Sequence, residues 1–130
     1  MSFFFFHPAF VHFPIAFYFL ETGLLIAWSR TGNDAYYRFA AMVLGWGYIF
    51  MLLSMCTGLM NAGGFQGLKG KVAVHFYAAL ALFGFYTLHL MSLWRSGARY
   101  CRSHFYVGVS VLGNILVALT AYCGGRLVYS

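Results

Sequence analysis

The chain has 130 residues, of which 62% are hydrophobic and 8% charged, with a mean hydropathy of +0.77. That is the length of one domain, and a soluble domain averages about 25% charged residues, so an ordinary soluble enzyme, a disordered chain and a coiled coil are excluded and an integral membrane protein remains. The net charge of +6 comes from basic residues that form neither a dense run nor an amphipathic stripe, which suits topology setting and argues against a nucleic-acid partner.

A helix that crosses the hydrocarbon core needs about 20 mostly apolar residues. Four segments qualify: 8–28, 38–60, 72–94 and 104–123. The first begins at Pro8, and Pro suits the first position of a helix. It lacks a basic region before the apolar stretch and a clear cleavage site, so it reads as a retained span and not a signal peptide. A break follows at Ser29 to Tyr37, with Arg30, Gly32, Asn33 and Asp34. The second span ends in the glycine-rich stretch from Asn61 to Lys71, which holds Lys69. The third ends at Arg95, and Arg99 and Arg102 separate it from the fourth. Short connections make successive helices antiparallel neighbours, so the expected fold is all-α, a four-helix transmembrane up-and-down bundle in one domain, 1–130. Gly45, Gly47, Gly84 and Gly113 are candidates for close helix contacts. No internal repeat is visible.

Loops one and three carry five arginines, at 30, 38, 95, 99 and 102. Loop two and the tail carry Lys69, Lys71 and Arg126. The positive-inside rule then places loops one and three in the cytoplasm and both termini in the periplasm of a bacterial inner membrane. The cysteines at 56, 101 and 123 have no CxxC spacing, so neither a zinc site nor a covalent haem site is written. Cys56 and Cys123 are expected as buried free thiols near one surface, with a disulfide between them as the alternative.

Ionisable groups inside a bilayer usually face the bundle interior. His12 lies four residues past Pro8, and His75 four residues past Lys71. Helices one and three run the same way, so both imidazoles lie roughly 6 Å below one surface at 1.5 Å per residue. Equal depth on two helices is what the axial ligands of a haem b require. The alternative is that these are ordinary interfacial histidines. His7 reads as a helix-entry residue or a donor behind the ligand, or as the ligand in place of His12. Pro14 removes a backbone bond beside His12. Glu21, the one acid inside a span, matches His89 in depth to within about 3 Å. A buried Glu21–His89 pair is expected, structural or proton-accepting. His104, at the opposite surface, has no partner suited to a second haem.

HPAFVHFPIA at 7–16, CTG at 56–58, a histidine early in span three, and GGRLVY at 124–129 occur in that order. The whole chain resembles a bacterial four-helix membrane-protein family of unknown function, domain of unknown function twenty-two thirty-one, marked by HPxxVHFPI and GGxLVY. His7, His12 and His75 match its histidines by motif. Where relatives often carry a histidine two residues before the glycine pair, this chain has Tyr122. The resemblance implies a four-helix bundle with histidines near one surface. Relatives that look fused to a Rieske iron–sulfur domain imply electron transport.

The expected function is a cytochrome b-like electron-transfer subunit with one haem near the outer surface. His12 and His75 are the expected ligands, His7 stands behind them, and Arg126 pairs with a propionate. Its expected partners are the lipid bilayer, other subunits of a membrane redox complex and, as a candidate, quinone. The alternative is a cofactor-free accessory subunit of a larger complex. Whether the chain is itself an enzyme stays open, with a non-catalytic subunit preferred.

Overall fold

A computed structural model describes residues 6–129. Four helices carry nearly all of them: α1 (Phe6–Thr31), α2 (Asp34–Asn61), α3 (Gly70–Ser96) and α4 (Ser103–Tyr129), with short 3₁₀ turns at Phe65–Gly67 and Tyr100–Arg102. Each helix runs a few residues past its apolar span, because capping groups and not the hydrocarbon edge decide where it stops. Gly32 ends α1 in a left-handed conformation (φ 68°) and donates to the Trp28 carbonyl at 2.8 Å. Asn33 then caps α2, its side-chain oxygen accepting from the Ala35 N–H at 3.0 Å. At the far end of α2, Gly63 and Gly64 have φ of 79° and 81°, and the Gly64 N–H returns to the Leu59 carbonyl. Pro14 sits within α1 without ending it, as transmembrane helices tolerate.

Only 22–33% of each apolar window is buried inside the protein. The remaining apolar face, including Phe19, Trp46, Leu88 and Ile115, points outward, which is the surface a bilayer solvates and water does not. The helices form a ring in which α1 neighbours α2 and α4, and α3 neighbours α2 and α4. This is an up-and-down bundle with α1 diagonal to α3. One end holds the α1–α2 and α3–α4 connections with their arginines. The other, the terminal end, holds the α2–α3 connection and both termini.

The two hairpins, α1–α2 and α3–α4, bury matching positions. Buried positions repeat at a constant offset: Pro14, Tyr18, Glu21, Thr22 and Leu25 in α1 correspond to Leu82, Tyr86, His89, Leu90 and Leu93 in α3. In α2 and α4 the correspondence is Tyr37, Ala40, Leu44, Gly47 and Met51 with Ser103, Tyr106, Ser110, Gly113 and Val117. A pseudo-twofold axis along the bundle relates them. Tyr18 and Tyr86 stack across it with ring centroids 3.7 Å apart. The close helix contacts follow the same symmetry. A Cβ on Gly47 would lie 2.9 Å from the Tyr18 ring, and one on Gly113 would lie 2.6 Å from the Tyr86 hydroxyl. Gly84 has nothing within 4 Å and Gly45 only Trp94 at 3.7 Å, so these two do not mark tight crossings.

The packed core fills the arginine end and the middle. Among the described residues, none nearer the terminal end than Pro14, Ser54, Leu82 and Val117 is fully buried. There the inward positions carry small residues and histidines.

Candidate functional site: a histidine pair and a buried polar network

At the terminal end, His7 turns into the bundle. Its Nδ1 donates to the Ser54 carbonyl at 2.8 Å, and its ring rests on Gly58, where a Cβ would lie 2.9 Å from Cε1. His75 repeats this on the other hairpin. Its ring rests on Gly124, where a Cβ would lie 2.8 Å from Cε1. The His75 Nδ1 is buried with no partner within hydrogen-bond distance. The two histidines thus hold equivalent places in the two hairpins, each seated on a glycine. The glycines of CTG and GGRLVY are the seats on which the two imidazoles lie.

His12 is placed differently. It is exposed on the outward face of α1, with its Nδ1 2.5 Å from the Pro8 carbonyl. The structure does not bring His12 and His75 together. Depth along the helices matches, but rotation does not: five residues separate His7 from His12, and at 100° each they point to opposite sides of α1. His104 is exposed at the arginine end. Arg126 is exposed at the terminal end, its guanidinium 6.0 Å from the centre of the Tyr122 ring.

Glu21 and His89 occupy equivalent positions in the two hairpins and meet on the axis. His89 Nε2 lies 2.7 Å from Glu21 Oε1, and both side chains are buried. Ser110 donates to the other carboxylate oxygen, and Thr22 bonds Ser110. Asn114 donates to Thr22 at 2.7 Å, and Tyr86 reaches Asn114 at 3.4 Å. Both carboxylate oxygens thus have a hydrogen-bond partner on another helix. Among the described residues, the His89 Nδ1 and the Tyr106 hydroxyl are buried without a hydrogen-bond partner, their rings 6.5 Å apart. The network's α4 members, Ser110 and Asn114, were not singled out in the sequence; hydroxyl and amide side chains in the middle of an apolar span are the signal that marks them.

Among the described residues, no three His, Cys, Asp or Glu side chains converge as a metal site would require. The three cysteines are free. Cys56 and Cys101 are exposed and Cys123 half-buried, so the expectation of buried thiols does not hold.

Four long apolar helices packed around a buried polar network define an integral membrane helical bundle. The chain belongs to the DUF2231 family of predicted membrane proteins, whose pattern covers residues 5–130. No curated protein and no solved structure matches it.

Proposed function

We propose that this protein is an electron-transfer subunit of a membrane complex, with one b-type haem held between α1 and α3 by His7 and His75. The observation that carries this reading is the histidine pair itself. Two imidazoles stand at equivalent positions about a twofold axis, each turned inward and seated on a glycine. A carbonyl that takes the Nδ1 proton, as Ser54 does for His7, leaves the Nε2 lone pair free to bind a metal. Two histidines alone make an incomplete site for zinc. They would suit a metal whose other ligands come from a macrocycle. The donors would fit such a group, and no fully buried side chain among the described residues fills the terminal end. When bound, haem supplies one-electron redox chemistry. The protein's own residues fix its position, shield it from water and, through Arg126 at the rim, offer a cation to a propionate.

His12 takes no part as a ligand in this reading, because it faces lipid. The five arginines at the opposite end favour that end as cytoplasmic and the histidine end as periplasmic in a bacterial inner membrane. A periplasmic reporter fused after Ser130 should then be active, and activity of only a cytoplasmic reporter contradicts the orientation. The haem reading is tested by the reduced-minus-oxidised visible spectrum of the protein purified after expression with ample haem. A sharp b-type α-band is expected. Its absence leaves the cofactor-free accessory subunit.

A further inference from the structure

Three buried side-chain atoms lack a hydrogen-bond partner among the described residues: His75 Nδ1, His89 Nδ1 and the Tyr106 hydroxyl. The first belongs to the histidine pair at the terminal end. The other two are neighbours on α3 and α4, in residues 3% and 1% exposed. Buried polar atoms are nearly always paired, so two orphans side by side call for an occupant. The other buried tyrosines sharpen the contrast. Tyr18 donates to the Met51 sulfur at 3.1 Å, Tyr37 to the Leu93 carbonyl, and Tyr86 reaches Asn114 at 3.4 Å. Each of these phenols has an acceptor inside the protein, and Tyr106 has none among the described residues.

We propose that the Glu21–His89 pair is a proton-binding site, reached from the arginine end through a water held between His89 Nδ1 and the Tyr106 hydroxyl. The two rings are 6.5 Å apart, a spacing that suits one water at about 2.8 Å from each polar atom. Depth places Tyr106 on the way in. His89 lies seven residues from Ser96, the arginine end of α3, and Tyr106 lies three from Ser103, the arginine end of α4. These are depths of about 10.5 Å and about 4.5 Å. The polar route follows α4 alone, since the counterparts of Tyr106 and Ser110 on α2 are Ala40 and Leu44. Toward the terminal end the network stops at the stacked Tyr18 and Tyr86 rings.

Proton uptake here needs no rotation of the imidazole. A neutral histidine carries one ring hydrogen. With that hydrogen on Nε2, His89 donates to Glu21 Oε1 at 2.7 Å and leaves Nδ1 as an acceptor. The water passes a proton to Nδ1 and regains one from the arginine side, while the Nε2 hydrogen moves to Oε1. One proton enters, and the pair goes from one negative charge to none, the state a bilayer interior favours. Ser110 holds the other carboxylate oxygen. The titratable groups around the pair are Tyr18 on α1, Tyr86 on α3 and Tyr106 on α4. Beyond Tyr106, α2 presents Tyr37 and the exposed Asp34, which accepts from Trp28 Nε1 at 3.0 Å. The inference goes beyond the electron-transfer reading and does not depend on haem.

Glu21 and Asp34 are the two acidic side chains in the sequence, so infrared spectroscopy can read them separately. The test follows the full chain in phospholipid nanodiscs by time-resolved infrared difference spectroscopy after a pH step. A protonated-carboxyl stretch should appear reversibly as pH falls, vanish in Glu21→Gln and persist in Asp34→Asn. Tyr106→Phe keeps the ring but removes a hydrogen-bond partner of the water, and should slow the appearance of the band about tenfold or more. Nitrogen-15 spectra of histidine-labelled wild type need no substitution: His89 Nδ1 should gain a hydrogen over the same pH interval. Two results overturn the proposal. One is a Glu21 carboxyl and a His89 Nδ1 that both stay unchanged wherever the bundle is folded, which makes the pair structural. The other is a Glu21 band whose rate Tyr106→Phe leaves unaltered, which removes the route. Haem-free protein serves the test, so a failed haem site leaves the outcome readable.

Discussion

Within a bilayer, one imidazole or one carboxylate is expensive unless something on a neighbouring helix meets it. Glu21 shows what such a partner must be. It is fully enclosed, and its two oxygens take hydrogens from His89 on α3 and Ser110 on α4. Removing one member of a buried pair strands the other at a cost of about 3–5 kcal/mol, whereas replacing both with apolar groups is often neutral. Glu21→Leu should therefore destabilise the bundle by about 3–5 kcal/mol, and Glu21→Leu with His89→Leu by distinctly less. Unfolding in mixed detergent micelles measures both, and an equal loss in the two variants contradicts the pairing. This pair was legible in the sequence because Glu21 is the lone acid in a span and His89 the one histidine at its depth. The ligand role assigned to His12 was not resolved the same way, since depth says nothing about rotation.

At the scale of the helix, rotation is the quantity a membrane hides. In water, the polar face of a helix shows which side turns outward. Here the outward side meets lipid, and Phe19, Leu88 and Ile115 on it are as apolar as Leu25 and Leu93 within. The four spans and their order could be read from composition and breaks, but their facing could not. Glycines show the same limit. Gly47 and Gly84 look alike in sequence, yet one faces Tyr18 at 2.9 Å and the other faces open space. Overpacking of a filled contact costs about 1–3 kcal/mol. Gly47→Ala and Gly113→Ala should each lose about that much stability, while Gly84→Ala should change little, because only the first two meet a ring. Thermal unfolding in detergent checks the contrast, and a loss in Gly84→Ala as large as in Gly47→Ala contradicts the assigned facing.

The whole molecule is a pair of hairpins with matching buried positions, a match hidden in the sequence for a physical reason. The residues that repeat, such as His7 with His75, Tyr18 with Tyr86, Gly47 with Gly113 and Gly58 with Gly124, are those that touch the axis or the partner helix. Lipid-facing positions need only be apolar, so they differ between the hairpins and mask the pattern. The symmetry also separates roles. Equivalent positions kept alike form the histidine pair, and those made different form the Glu21–His89 contact. The central claim is that His7 and His75 share one haem while His12 stands outside it. Haem per protein, measured by pyridine haemochrome in His7→Ala, His75→Ala and His12→Ala purified side by side, tests it most directly. The account predicts near-complete loss in the first two and retention close to wild type in the third. Retention in His7→Ala together with loss in His12→Ala would contradict it.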